Sequence, residues 1–99
     1  MSVLVTVRVS GDVAKFRQLM DEDPGRFEAI AERGKAAGAI HHRFGVGDGY
    51  VLVLDEWESA AAFEEFFQMP EIAAIMVEAG AQGEPEVTIA EAIESPDQF

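Results

Sequence analysis

Two strand-like runs, Ala39–Val46 and Tyr50–Trp57, flank Gly47-Asp48-Gly49. No other feature limits the folds open to the chain as strongly, because so tight a hairpin fixes which residue faces which. With Asp48 and Gly49 as its central residues, the Asp-Gly pair predicts a type I′ turn, in which both take φ > 0. Gly47 then faces Tyr50, Val46 faces Val51, Phe44 faces Val53, His42 faces Asp55 and Ile40 faces Trp57. Side chains alternate along a strand, so the last four of these pairs share one face of the sheet. His41 against Glu56 and Arg43 against Leu54 take the other face. A slip of one residue would set His41 opposite Asp55 instead.

The flanking sequence supplies the other elements. Val3, Val5, Val7 and Val9 alternate with Leu4, Thr6 and Arg8, which predicts a strand from about Ser2 to Val9. Ser10-Gly11-Asp12 ends it, and Asp12 is a helix cap for a segment with Val13, Phe16, Leu19 and Met20 at helical spacing. Asp23-Pro24 starts a second helical piece, since Pro suits the first position of a helix. Phe27, Ile30 and Ala31 form its apolar stripe, and Gly38 ends it. After the hairpin, Ser59 caps a helix with Phe63, Phe66 and Phe67. Pro70 interrupts it, and Ile72, Ile75 and Met76 carry the stripe onward. Gly80, Gly83 and Pro85 mark a loop before a last strand, Glu86–Ile93. The order β-α-β-β-α-β predicts a ferredoxin-like α+β fold, a four-stranded antiparallel sheet with helices on one face. Residues 1–94 are expected to form one domain, with 95–99 as a C-terminal tail.

Charge and composition narrow the partners. Nineteen acidic residues against seven basic ones give a net charge of −12. That field repels nucleic acid and anionic membranes, and no Lys/Arg cluster offsets it. The chain has no cysteine, so disulfides, thiol nucleophiles and thiolate metal sites are excluded. Met1–Arg8 lacks the basic start of a signal peptide, and no apolar run approaches the ~20 residues of a membrane span. A cytoplasmic protein is expected.

A self-association is expected too. Two helices can cover only one face of a four-stranded sheet, yet its strands are apolar on both. Leu4, Leu52 and Leu54 point away from the valine face, and an exposed patch of this kind marks an interface. A second copy of the sheet would bury it with two-fold symmetry, giving a homodimer through the open sheet face. A monomer whose tail folds over the face is the alternative.

Further residues carry a family likeness. Ala37-Gly38-Ala39-Ile40, the hairpin, Leu54-Asp55-Glu56-Trp57-Glu58, Ala62-Phe63-Glu64-Glu65-Phe66 and Met69-Pro70-Glu71-Ile72 together resemble the antibiotic biosynthesis monooxygenase-like domains of the dimeric α+β barrel superfamily. The resemblance covers most of Ala37–Met76. It implies a dimeric α+β barrel. It also implies cofactor-independent oxygenation of polycyclic aromatics, haem degradation, cyclase-like chemistry of related barrels, or no activity at all, because a fold does not fix chemistry. Many members place His where this chain has Phe66 and Glu71. The haem-degrading branch uses Asn, Trp and His where this chain has Thr6, Trp57 and Met76, so only the Trp is retained. Met76 is the residue left to ligate iron in a haem-binding alternative.

The hairpin register nominates the site. His42 and Asp55 are the catalytic candidates, a proton-shuttling pair on the face that also holds Trp57 and Phe44. Phe16, Met20, Phe63, Phe67, Ile72 and Met76 would close an aromatic- and methionine-lined pocket from the helices. Such a pocket suits a flat, apolar small molecule. A satisfied polar pair within an ordinary packed core is the alternative reading of the same residues. No metal or cofactor site is expected. His41 and His42, as adjacent strand residues, point to opposite faces and cannot readily share an ion. Gly45–Gly49 joins strand to strand with no Lys and no helix N-terminus to receive a phosphate. The serines sit at ends and caps, without the setting of a nucleophile. The expected function is therefore small-molecule binding by a dimeric barrel, as a cofactor-independent monooxygenase or cyclase-like enzyme on an apolar aromatic metabolite. A non-catalytic binding module and a haem-binding protein are the alternatives.

Overall fold

The structure, a computed structural model, describes residues 1–99. Its elements run β1 (Val3–Ser10), α1 (Val13–Glu22), α2 (Pro24–Ala37), β2 (Ala39–Gly47), β3 (Tyr50–Trp57), α3 (Ala60–Phe67), α4 (Pro70–Glu78) and β4 (Glu86–Glu91). The strands form one antiparallel sheet in the order β2-β3-β1-β4. This is the ferredoxin-like α+β arrangement, with each of its two helices split in two. No helix is long and apolar enough to cross a membrane.

The splits have local causes. Asp12 caps α1 by accepting from the Lys15 backbone N–H at 3.3 Å, and Ser59 caps α3 by accepting from Ala62 at 3.1 Å. Pro24 and Pro70 open α2 and α4 at the first turn, where a missing N–H costs the helix nothing. Residues before a proline avoid the helical region, so Asp23 and Met69 break each layer.

Two expectations for the hairpin need correction. Asp48 keeps a negative φ, and Gly49 alone is left-handed, at φ 79. The turn is therefore not type I′. A side chain in the left-handed region costs roughly 1–2 kcal/mol, and glycine avoids that cost. The register survives, with Gly47 on Tyr50, Phe44 on Val53 and His42 on Asp55. It fails only at the far end of β2. A bulge between Ala39 and His41 lets Ala39, not Ile40, pair with Trp57. Ile40 is left exposed, as expected of the extra residue in a bulge. The final strand also stops at Glu91 rather than Ile93.

The core lies between the sheet and the helices. Val5, Val7, Trp57 and Phe63 form its buried centre, and full burial of each contributes about 1.5–3 kcal/mol. The opposite face of the sheet is open. Leu4 is 49% exposed and Leu54 is 52% exposed. Arg8, on the same face, stacks over the Tyr50 ring, 3.8 Å from its centroid.

Candidate functional site

Strand alternation aligns one polar row among apolar ones on the helix side. His42 on β2, Asp55 on β3, Val5 on β1 and Ile89 on β4 are cross-strand partners in sequence across the sheet. The next row is Phe44, Val53, Val7 and Val87. Trp57 lies two residues beyond Asp55 along β3, so both side chains rise from the same face.

These residues meet. His42 Nδ1 lies 2.7 Å from Asp55 Oδ1. The Trp57 indole N–H donates to Asp55 Oδ2 at 3.0 Å. Both oxygens of the carboxylate are thus engaged, and its side chain is only 8% exposed. His42 is more open, at 41%. The Phe44 ring braces it edge-on at 4.7 Å between centroids.

Over this row lies a cavity of about 150 Å³. Its lining is apolar except for His42 and Asp55, which are its only ionisable side chains. Phe44 and Trp57 come from the sheet, Phe63 and Phe67 from α3, and Ile72 and Met76 from α4. Phe16 and Met20 do not line it. Phe16 instead faces a smaller neighbouring hollow of about 80 Å³, and Met20 lines neither. The rings of Phe16, Phe27 and Phe44 pack edge-to-face at 5.1–6.1 Å, and Phe27 and Phe44 line both hollows.

Sequence reasoning left α2 out of the lining. Phe27, Ile30, Ala31 and Gly34 all line the cavity. The i, i+3, i+4, i+7 spacing of these residues marks a single helix face, and it was the available signal. Across the cavity, α2 and α4 are tied by two ion pairs, Arg26 with Glu78 and Arg33 with Glu71. The hydrogen bond from Arg26 holds the Glu78 carboxyl below the usual carboxylate range and raises the guanidinium in turn. No cluster of three His, Cys, Asp or Glu side chains is placed to hold a metal ion.

A split βαββαβ sandwich with an apolar cavity over one His–Asp pair defines a class of α+β fold. Among solved structures, the chain superposes on the monooxygenase from the gene ActVA-Orf6 of Streptomyces coelicolor, determined with the ligand nanaomycin D. The TM-score is 0.66 with 18% identity, over 99% of this chain and 93% of that one. It also superposes on SnoaB, a cofactor-independent oxygenase from Streptomyces nogalater, with a TM-score of 0.56 and 18% identity over 98% of each chain. A structure described as an antibiotic biosynthesis monooxygenase matches at a TM-score of 0.61 and 12% identity, over 93% of this chain and 99% of that one. The chain shares the fold of these solved structures. No family model matches the sequence, and no curated protein matches it significantly.

Proposed function

We propose that this chain is a cofactor-independent monooxygenase that binds a flat, apolar aromatic substrate carrying one acidic O–H or activated C–H. The observation that carries this reading is the hydrogen-bonded His42–Asp55 pair as the sole ionisable group of an otherwise apolar cavity. The fold of the two Streptomyces oxygenases supports it.

His42 takes the acidic proton, and Asp55 stabilises the imidazolium that forms. The electron-rich anion then reacts with dioxygen through its own carbon. A C–O bond forms to give a hydroperoxide. Loss of the hydrogen still on that carbon, with cleavage of the O–O bond, leaves a carbonyl and one water. The substrate supplies all four electrons, so the balance needs no other reductant. The apolar walls exclude water from the anion and offer planar contacts to its rings.

The protein acts as a homodimer in this reading. The open sheet face sets Leu4, Leu52 and Leu54 beside cationic Arg8 and Arg43 and anionic Glu56. A surface that is apolar at its centre and carries both signs can complement a copy of itself. Sedimentation at micromolar concentration should give the mass of two chains; a single-chain mass would sink the pairing.

Oxygen uptake in chelator-treated buffer with hydroxylated tricyclic aromatics tests the chemistry. Uptake matched to product is expected, and His42→Ala should reduce turnover by roughly 10²–10⁴ while ring-fluorescence quenching still reports binding. Equal turnover by His42→Ala would refute the role of the base. Product without oxygen uptake would reassign the same base to aldol-type cyclisation. Binding without turnover would leave a binding module.

A further inference from the structure

We propose that Trp57 is a positioning residue whose indole N–H, acting through Asp55, fixes the tautomer of His42 and leaves Nε2 as its basic atom. The proposal rests on the reading of His42 as the base.

The indole of Trp57 is an unusual wall for a ligand, because the residue is only 2% exposed. Phe63 and Phe66 pack on it at 5.7 and 5.3 Å between ring centroids. Its polar atom matters more. An indole nitrogen can only donate, and a buried donor without an acceptor costs about 1–3 kcal/mol. Here it donates to Asp55 Oδ2 at 3.0 Å.

That bond has consequences one step away. It occupies one oxygen of the carboxylate, which only accepts, and it sets the rotation of the carboxylate plane. Oδ1 is then presented to His42 Nδ1 at 2.7 Å. An ionised acceptor at that position requires the proton on Nδ1. Nε2 keeps its lone pair. With the Asp55 side chain 8% exposed, water has little share in the arrangement. Without the indole donor, Oδ2 would face an apolar wall with no partner, and the carboxylate would turn. That rotation frees Nδ1 from its fixed partner.

The test needs no substrate. The chain contains two histidines, and His41 lies on the opposite face, paired across the sheet with Glu56, so it serves as an internal reference. Two-bond ¹H–¹⁵N correlation spectra of the labelled full-length chain, at a pH where imidazole is neutral, report the protonated nitrogen of each ring. The wild type should show His42 with the proton on Nδ1. Trp57→Phe keeps an aromatic ring and removes the donor, and it should convert His42 to a mixture of tautomers while leaving His41 unchanged. Phe63→Leu disturbs the packing of the indole without touching its N–H, and should leave the His42 tautomer as in the wild type. A wild-type His42 protonated on Nε2 would overturn the proposal even if no variant folded. So would a Trp57→Phe protein that keeps the wild-type tautomer. The turnover of His42→Ala judges the base separately, since tautomers are read on the resting protein.

Discussion

Gly11 sits where the fold leaves no room for a side chain. A Cβ placed on it would meet the Gly80 carbonyl oxygen at 2.2 Å, and neither partner is a flexible side-chain end. The backbone there is further tied by Asp12 N–H to Gly80 O at 3.1 Å and Gly11 N–H to Gly49 O at 3.0 Å. Gly11→Ala must therefore displace the α4–β4 loop. A loss of about 1–3 kcal/mol is expected, seen as a melting temperature lower by roughly 4–8 °C per kcal/mol for a chain this size. An unchanged melting curve would mean that the loop yields freely. At the same scale, His42 and Asp55 were legible as partners because Asp48-Gly49 set the count across the hairpin. The hydrogen bond from Trp57 was not. Residues two apart on a strand share a face, but whether their side chains touch depends on rotamers, which no sequence spacing reports.

Among the elements, α2 and α4 decide how the cavity is closed. The two arginines are seven residues apart on α2, and their glutamates seven apart on α4, so the pairs bridge antiparallel helices two turns apart. The carboxyl of Glu78 is held below its ordinary range by Arg26. Its contribution is thus complete above about pH 5 and lost as acid drives the pH below about 4, near and under the ordinary glutamate value. The difference in melting temperature between wild type and Arg26→Gln should be constant from neutral pH to about 5 and vanish below that range. A difference that persists at pH 3 would assign the effect to packing. Gly34 offers a change of the opposite sign. It lies inside α2, and a Cβ there would meet Phe66 Cζ at 3.5 Å, an ordinary contact. Gly34→Ala should stabilise the chain by about 0.5–1 kcal/mol while narrowing the cavity, so melting temperature should rise as ligand affinity falls. The breaks at Pro24 and Pro70 were legible because proline acts locally. The bulge at Ile40 was not, since it answers to where the α2 end must hand the chain to the sheet. Phe16 and Met20 were misplaced for a related reason. Helical spacing gives a face, but the turn at Asp23 decides which part of the sheet that face meets.

The whole molecule leaves an apolar surface, with Leu4 and Leu54 half exposed, on the side away from the cavity. Leu54 stands at the centre of that side, directly across from Thr6 on β1. Leu54→Glu should leave the fold intact and shift the sedimenting species from two chains to one. A variant that still pairs would place the contact elsewhere. The same surface was legible early, because leucines that oppose a valine face in period 2 have nowhere to go within a two-layer chain. How the helices would leave a cavity rather than fill it was not legible, since the volume depends on the crossing of four short helices.

The sheet order β2-β3-β1-β4 has one more consequence. It sets the buried carboxylate on an inner strand and the half-open imidazole on the outermost one. If His42 is the base proposed above, its place at the margin of the sheet lets it return its proton to bulk water directly, with no helix lifting between cycles. On that reading proton exchange and guest exchange use separate openings, so solvent can reach the base without reaching the bound ring.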